Sequence, residues 1–246
     1  MNQIKPLKIC KFVEGSFLPA FDGASEKFSK GLIHLIKKRG VEPIVVHCYR
    51  GWSNLDLIAK QDFKTIALPS KFYYQDDKVL SIILENYQPN LLELNDLELG
   101  LSMGLKLFKS FKLPIVYDAQ FVSSELASTY VKEKTELNKI RKMEVKLGKF
   151  ISGASCFTTQ DKVGLMTAMN LKPNEIEVVP MGSNIDEIDY RPIKKTDNVV
   201  LFMGNMFFKP NQEAVEYILK KLAPKLKEIF PKLIFRFVGD VPKSLK

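Results

Sequence analysis

Apolar residues along the chain follow two rhythms, short runs and longer stretches at helical spacing, and the two alternate. Residues 7–13 form the first run and predict a strand. A loop over 14–23 follows, with Gly15, Pro19 and Gly23. From 24 to 39, Phe28, Leu32, Leu35 and Ile36 fall on one face of a helix. Asp22 is placed to cap that helix and Gly40 to stop it. Residues 43–47 then predict a second strand. Strand, glycine-bearing loop, helix and strand in that order make a βαβ unit of a parallel sheet.

The alternation continues. Strands are expected over 65–68, 91–94, 114–117, 154–158 and 177–179. Helices are expected over 77–86, with Val79, Ile82 and Ile83 inward, over 97–111, over 133–150 and over 162–169. The 133–150 helix takes its apolar positions from Ile140, Met143, Val145, Leu147 and Phe150. The strand at 114–117 delivers Asp118 and Gln120 at its carboxyl end. Residues 180–192 are turn-rich and aperiodic, which marks a linker. The pattern then restarts: strand 198–203, loop 204–209, helix 210–230, strand 233–238. Pro210 suits a first helical position. Val215, Ile218, Leu219, Leu222, Leu226 and Ile229 form a stripe, and Pro224 should kink the helix.

The fold class this implies is α/β, with two Rossmann-like parallel-sheet units. The expected division is 1–181, a linker 182–195, and 196–246. Two strands and one helix leave a parallel layer with an open edge and a bare face. The second unit therefore reads as incomplete, to be finished by further chain or by a complementing C-terminal polypeptide.

Composition narrows the partners. Among 246 residues, 37 Lys+Arg against 28 Asp+Glu give a net charge of +9, which favours anionic partners. Aromatic and basic residues are not interleaved as in known nucleic-acid modules, so nucleic acid is not expected. Cys10, Cys48 and Cys156 are isolated, and neither His34 nor His47 has companions at ligand spacing. No disulfide framework and no metal site are expected, and a reducing cytoplasm fits. No signal peptide and no membrane span are expected. The lysine-rich 133–150 helix is a candidate for peripheral contact with anionic lipid.

Parallel sheets bind ligands at the carboxyl ends of their strands, where glycine turns meet helix N-termini. Three such turns are present: Asp22-Gly23 before the first helix, Gly204-Asn205 with Lys209 at the next helix start, and Gly239-Asp240 after the last strand. A glycine closing a strand beside a lysine at a helix start suits a diphosphate.

The order of these segments resembles that of family 4 glycosyltransferases of the GT-B fold. Val178-Val179-Pro180-Met181-Gly182-Ser183-Asn184-Ile185-Asp186 is similar to their VPNGVD linker. Val200-Leu201-Phe202-Met203-Gly204 looks like the strand that opens their second domain, and residues 235–242 like their strand ending in G-x-G-P. Residues 21–39 resemble their first helix, 114–120 their PVVYDxHD strand, and 133–161 their E…ADAVIAVS segment.

The resemblance implies transfer of a sugar from a nucleotide-diphosphate sugar to a glycan or lipid-linked acceptor. Transfer would retain the anomeric configuration and need neither metal nor cofactor. Residues 1–181 would be the acceptor-side domain and 196–246 the start of the nucleotide-sugar domain. Gly23, Gly204, Asn205 and Lys209 would hold the diphosphate, Lys209 stabilising the leaving group's charge. Asp22, Asp118 and Gln120 would face the acceptor or the sugar. Departures are present: Asn205 stands for the family's arginine and Gln120 for its histidine. The family's E-x7-E segment is expected after Pro242, and the chain stops at Lys246. A non-catalytic nucleotide-sugar-binding or scaffold protein of the same ancestry, and a nucleotide-sugar epimerase, are the alternatives.

Overall fold

The computed structural model describes residues 6–13, 32–33, 36–49, 62–75, 77–95, 97–180, 192 and 198–241. The chain divides into two compact units, Met1–Gly182 and Ser183–Lys246. Most of the first loop and helix, including Asp22 and Gly23, and nearly all of the linker lie outside the described residues.

The first unit is built on a seven-stranded sheet in the order β3-β2-β1-β4-β5-β6-β7. The strands are β1 Lys8–Val13, β2 Glu42–Tyr49, β3 Lys64–Pro69, β4 Leu91–Leu94, β5 Ile115–Asp118, β6 Gly153–Cys156 and β7 Ile176–Val178. Every pairing is parallel. The order reverses between β1 and β4, which opens the crevice that parallel sheets use for ligands. The central strands are covered on both sides, as their near-continuous apolar runs require. Cys10, Phe12, Val46, Leu92, Leu94 and Ile115 belong to the main core on one side. Val13, Val45 and Phe63 pack with Leu32, Ile33 and Ile36 on the other. One charged pair is admitted inside the sheet: Lys11 and Glu93 are register neighbours on β1 and β4 and form an ion pair.

The strand boundaries match the expected runs to within a few residues, and Gly40, at φ +61°, ends its helix in the left-handed conformation foreseen for a stop. Two short helices were not foreseen, Ser70–Gln75 and Ser123–Ser128. Each is too short for a 3.6-residue period to show. The first also contains Phe72, Tyr73 and Tyr74, residues that favour strands. Tyr73 is fully buried, its ring meeting that of Tyr74 edge-on at 4.9 Å. The expected helix over 97–111 is continuous but passes through a π-helical stretch, Gly100–Gly104. Helix Thr159–Met169 starts three residues early because Thr158 and Asp161 form a capping box.

Two inward assignments are corrected. Ile82 is 56% and Val145 42% exposed. On helix Lys134–Gly148 the buried positions are Glu144 and Leu147. At Gly148 a β-carbon would stand 2.0 Å from the Met169 carbonyl oxygen, so only glycine permits this backbone approach.

The second unit has its own two-stranded parallel sheet, β8 Val199–Met203 and β9 Ile234–Val238. The connecting helix runs Lys209–Tyr217, widens into a π turn over Ile218–Leu222, and resumes at Ala223–Ile229. Pro224 produces this widening. Its ring would clash with the carbonyl four residues back in regular α geometry, and the π turn relieves that contact. Val215, Ile218, Leu222 and Leu226 keep the inward side, as the stripe predicts. Ala223 is buried, whereas Leu219 and Ile229, expected inside, are 51% and 68% exposed.

Candidate functional site

The carboxyl end of β5 runs into a tight tip. Asp118 closes the strand, and its Oδ1 accepts a hydrogen bond from the Ser155 hydroxyl on β6 at 2.6 Å. The Ala119 N–H donates to the Ser155 carbonyl at 2.8 Å. Gln120 and Phe121 follow, both exposed. The chain then enters helix Ser123–Ser128, whose N-cap residue Val122 offers no side-chain cap. The missing acceptor comes from another helix: Glu144 Oε1 accepts the Ser124 N–H at 3.0 Å. Next to the reversal of strand order, Asn95 follows β4. Its carboxamide oxygen is buried without a hydrogen-bond partner among the described residues.

In the second unit the turn after β8 is held by backbone. Gly204 N–H donates to the Val238 carbonyl at 3.0 Å, and Met206 N–H to the Asp240 carbonyl at 2.8 Å. Gly239 has φ +139°, and a β-carbon there would stand 1.9 Å from Gly204 O. The Asn205 side chain turns inward on its own loop, its Oδ1 accepting the Phe207 N–H at 2.8 Å. Asn211 Nδ2 donates to the Asn205 carbonyl at 2.9 Å and lies under Gly204, where a β-carbon would meet it at 2.9 Å.

Lys209 is the first residue of the following helix and is exposed. That helix start has no side-chain cap and no acidic residue in its first turn. A cation at the positive end of a helix dipole is unfavourable alone. The combination is suited to an external anion.

The structure thus brings Gly204, Asn205 and Lys209 into one turn, and Asp118 and Gln120 into one tip. Asp22 and Gly23 fall outside the described residues. The supporting residues Ser155, Glu144, Asn211 and Asn95 were not singled out from sequence. For Glu144 a signal existed: position 144 lies on the same helical face as Ile140, Met143 and Leu147. Among the described residues, no group of three or more His, Cys, Asp or Glu is arranged to hold a metal ion. Cys10, Cys48 and Cys156 are all buried. Burial pushes the Cys10 thiol up to about 12. It also raises that of Cys156, aided by the Asp161 charge and opposed by Lys162. Neither thiol is poised as a nucleophile. His47 is fully buried within β2. A cavity of about 260 Å³, lined by Lys8, Glu42, Phe63, Lys64 and Tyr87 among others, opens at the amino-terminal edge of the sheet. It is at the wrong end of the strands for a ligand of a parallel sheet. Among the described residues no helix is long and apolar enough to cross a membrane.

No family model and no curated protein sequence matches this chain. Solved structures do. The HepE protein of Anabaena in complex with UDP-glucose aligns with a TM-score of 0.61 at 15% identity, covering 96% of this chain and 70% of that one. Sucrose-phosphate synthase from Thermosynechococcus elongatus aligns at 0.63 and 10% identity, covering 96% and 71%. UDP-GlcNAc 2-epimerase from Neisseria meningitidis bound to UDP-GlcNAc aligns at 0.56 and 13% identity, covering 97% and 67%. The chain therefore spans between two-thirds and three-quarters of the length of these three chains, and its fold is α/β, Rossmann-like and GT-B-like.

Proposed function

We propose that this chain belongs to a retaining glycosyltransferase of family 4 type, which moves a sugar from a nucleotide-diphosphate donor to a glycan or lipid-linked acceptor. The observation that carries the reading is the turn after β8. Gly204 is locked against Gly239, and Lys209 stands at a helix start without a side-chain cap, so a cation and the positive end of a helix dipole are offered together at the carboxyl end of a parallel strand. Such a turn grips a diphosphate. When the glycosidic bond breaks, charge grows on the departing phosphate oxygen, and Lys209 stabilises it without metal or cofactor. Gly204 keeps the backbone close to the ligand, and Asn205 shapes the turn. In the first unit the family resemblance would have Asp22, Asp118 and Gln120 face the acceptor or the sugar, and Gly23 meet the diphosphate. The likeness in fold to proteins named for UDP-glucose, UDP-GlcNAc and sucrose phosphate supports a nucleotide-sugar ligand.

Lys139, Arg141, Lys142 and Lys146 on the exposed face of helix Lys134–Gly148 would suit an anionic membrane that holds a lipid-linked acceptor. Two further readings stay in view. An epimerase is favoured by the fold of the 2-epimerase neighbour, but proton transfer at a sugar carbon needs an acid and a base, and His47 is inside the sheet. A binding protein without turnover would use the same turn.

One experiment separates the three. The chain is incubated with UDP-glucose or UDP-GlcNAc, with and without acidic vesicles, and followed by proton and phosphorus NMR. Release of UDP with the sugar passed to water, in retained configuration before mutarotation, is the expected result. Interconversion of UDP-sugars without UDP release would establish the epimerase, and saturable binding without change the binding protein. Absence of any binding would remove all three, and vesicle pelleting indifferent to acidic lipid or salt would remove the membrane contact.

A further inference from the structure

Glu144 lies on a helix whose other face is rich in lysine, yet it is fully buried. One carboxyl oxygen accepts the Ser124 N–H at 3.0 Å, and the other is buried with no hydrogen-bond partner among the described residues. A buried carboxyl group with one oxygen unpartnered is worse for stability than an apolar side chain of similar volume. Met143 and Leu147 show what that position would hold if packing alone decided. Capping helix Ser123–Ser128 accounts for one of its oxygens, because the N-cap residue Val122 is itself buried in the core and a polar side chain there would be lost to packing.

A cap brought from another helix does something a local one cannot: it ties the tip to the body of the unit. The Ser155 hydroxyl and carbonyl hold Asp118 and Ala119 at one end of residues 118–124, and Glu144 holds Ser124 at the other. Gln120 and Phe121 are exposed between these two clamps.

We propose that Glu144 is a positioning residue: through the Ser124 amide it fixes the β5 tip in one conformation and so presents Gln120 to the sugar. The second part rests on the nucleotide-sugar reading given above. Glu144 touches no substrate and acts through the tip alone.

The test uses the full chain with Glu144→Met, matched in volume, and Glu144→Gln, whose amide oxygen can still accept the Ser124 N–H. Glu144→Met is expected to leave Tm within a few degrees, since it removes a buried unpaired oxygen but strands the Ser124 N–H, while speeding amide exchange at residues 121–124 about tenfold or more, with the rest of the unit unchanged. With UDP-glucose or UDP-GlcNAc it is expected to lower kcat about tenfold or more and leave KM within about threefold, because the tip is misplaced and the diphosphate grip is intact. Glu144→Gln is expected to restore both readouts to within about threefold of the wild type. Unchanged exchange at 121–124 in Glu144→Met would overturn the proposal. So would a loss of kcat that follows a fall in Tm and is not rescued by Glu144→Gln. Faster exchange in Glu144→Met, combined with a wild-type chain that binds neither nucleotide sugar, would overturn the sugar-facing role and leave the clamp standing.

Discussion

The two strand-end turns that carry the candidate residues are held in opposite ways. After β5, the tip is held largely by side chains that reach in from elsewhere, Ser155 from β6 and Glu144 from a helix. After β8, the two strand ends are locked backbone against backbone, with Gly239 pressed on Gly204, and the Asn205 and Asn211 side chains only brace the loop between. The first arrangement is graded, since each hydrogen bond can be lost alone at a cost of about 1 kcal/mol. The second has no intermediate, because a single β-carbon at Gly239 forces the strands apart. Their settings differ in the same sense. The seven-stranded sheet is covered on both faces, whereas β8 and β9 expose Leu201, Met203, Ile234 and Val238 on one face. A unit with so little buried has less stability in reserve against a badly placed atom.

The comparison is broken most severely at Gly239. Gly239→Ala would put a β-carbon 1.9 Å from Gly204 O at a φ of +139°. Backbone strain of about 1–3 kcal/mol adds to overpacking of a similar size. The expected outcome is loss of diphosphate binding together with faster amide exchange throughout β8 and β9. Exchange in the seven-stranded sheet should not change. Native exchange in β8 and β9 of the variant would show that the turn is not locked in the way described.

Lys209 comes next, and there stability and activity should move in opposite directions. Its ammonium sits at the positive end of a helix, so Lys209→Met should raise stability slightly, by about 0.3–1 kcal/mol. Removing the group that meets the leaving phosphate should slow UDP release about 10²–10³-fold. A thermal melt and a turnover assay on the same preparation decide the matter. A variant that is more stable and fully active would make Lys209 a surface lysine.

How much of this was legible beforehand follows from the same contrast. The strands were readable because buried parallel strands are continuous apolar runs, and the positions of Asp118, Gly204 and Lys209 follow from where those runs stop. Clamping groups are harder to see. Glu144 stands in a lysine-rich segment and reads as solvated, although its spacing from Ile140 and Leu147 already put it inside. Its partner Ser124 belongs to a helix of six residues, too short to announce itself. Asn211 follows Pro210 and reads as an ordinary helix start, and its reach to the Asn205 carbonyl depends on a turn geometry that composition does not encode. Leu219 and Ile229 lie at the expected spacing but stay exposed, because two strands are too narrow to cover every position of the stripe.

Ser155 offers the mildest and most local test. Ser155→Ala removes one donor from the Asp118 carboxyl group and leaves the Ala119 N–H bond to the residue-155 carbonyl untouched, since that is backbone. The tip should therefore loosen at one end only. The expected cost is about 1 kcal/mol, read as a fall in Tm of about 2–4 °C for a unit of this size. Amide exchange should rise at residues 119 and 120 and not at 124, where Glu144 still holds the chain. If both ends loosen together, the two clamps are not independent, and the tip is a single cooperative piece as the glycine-locked turn after β8 is.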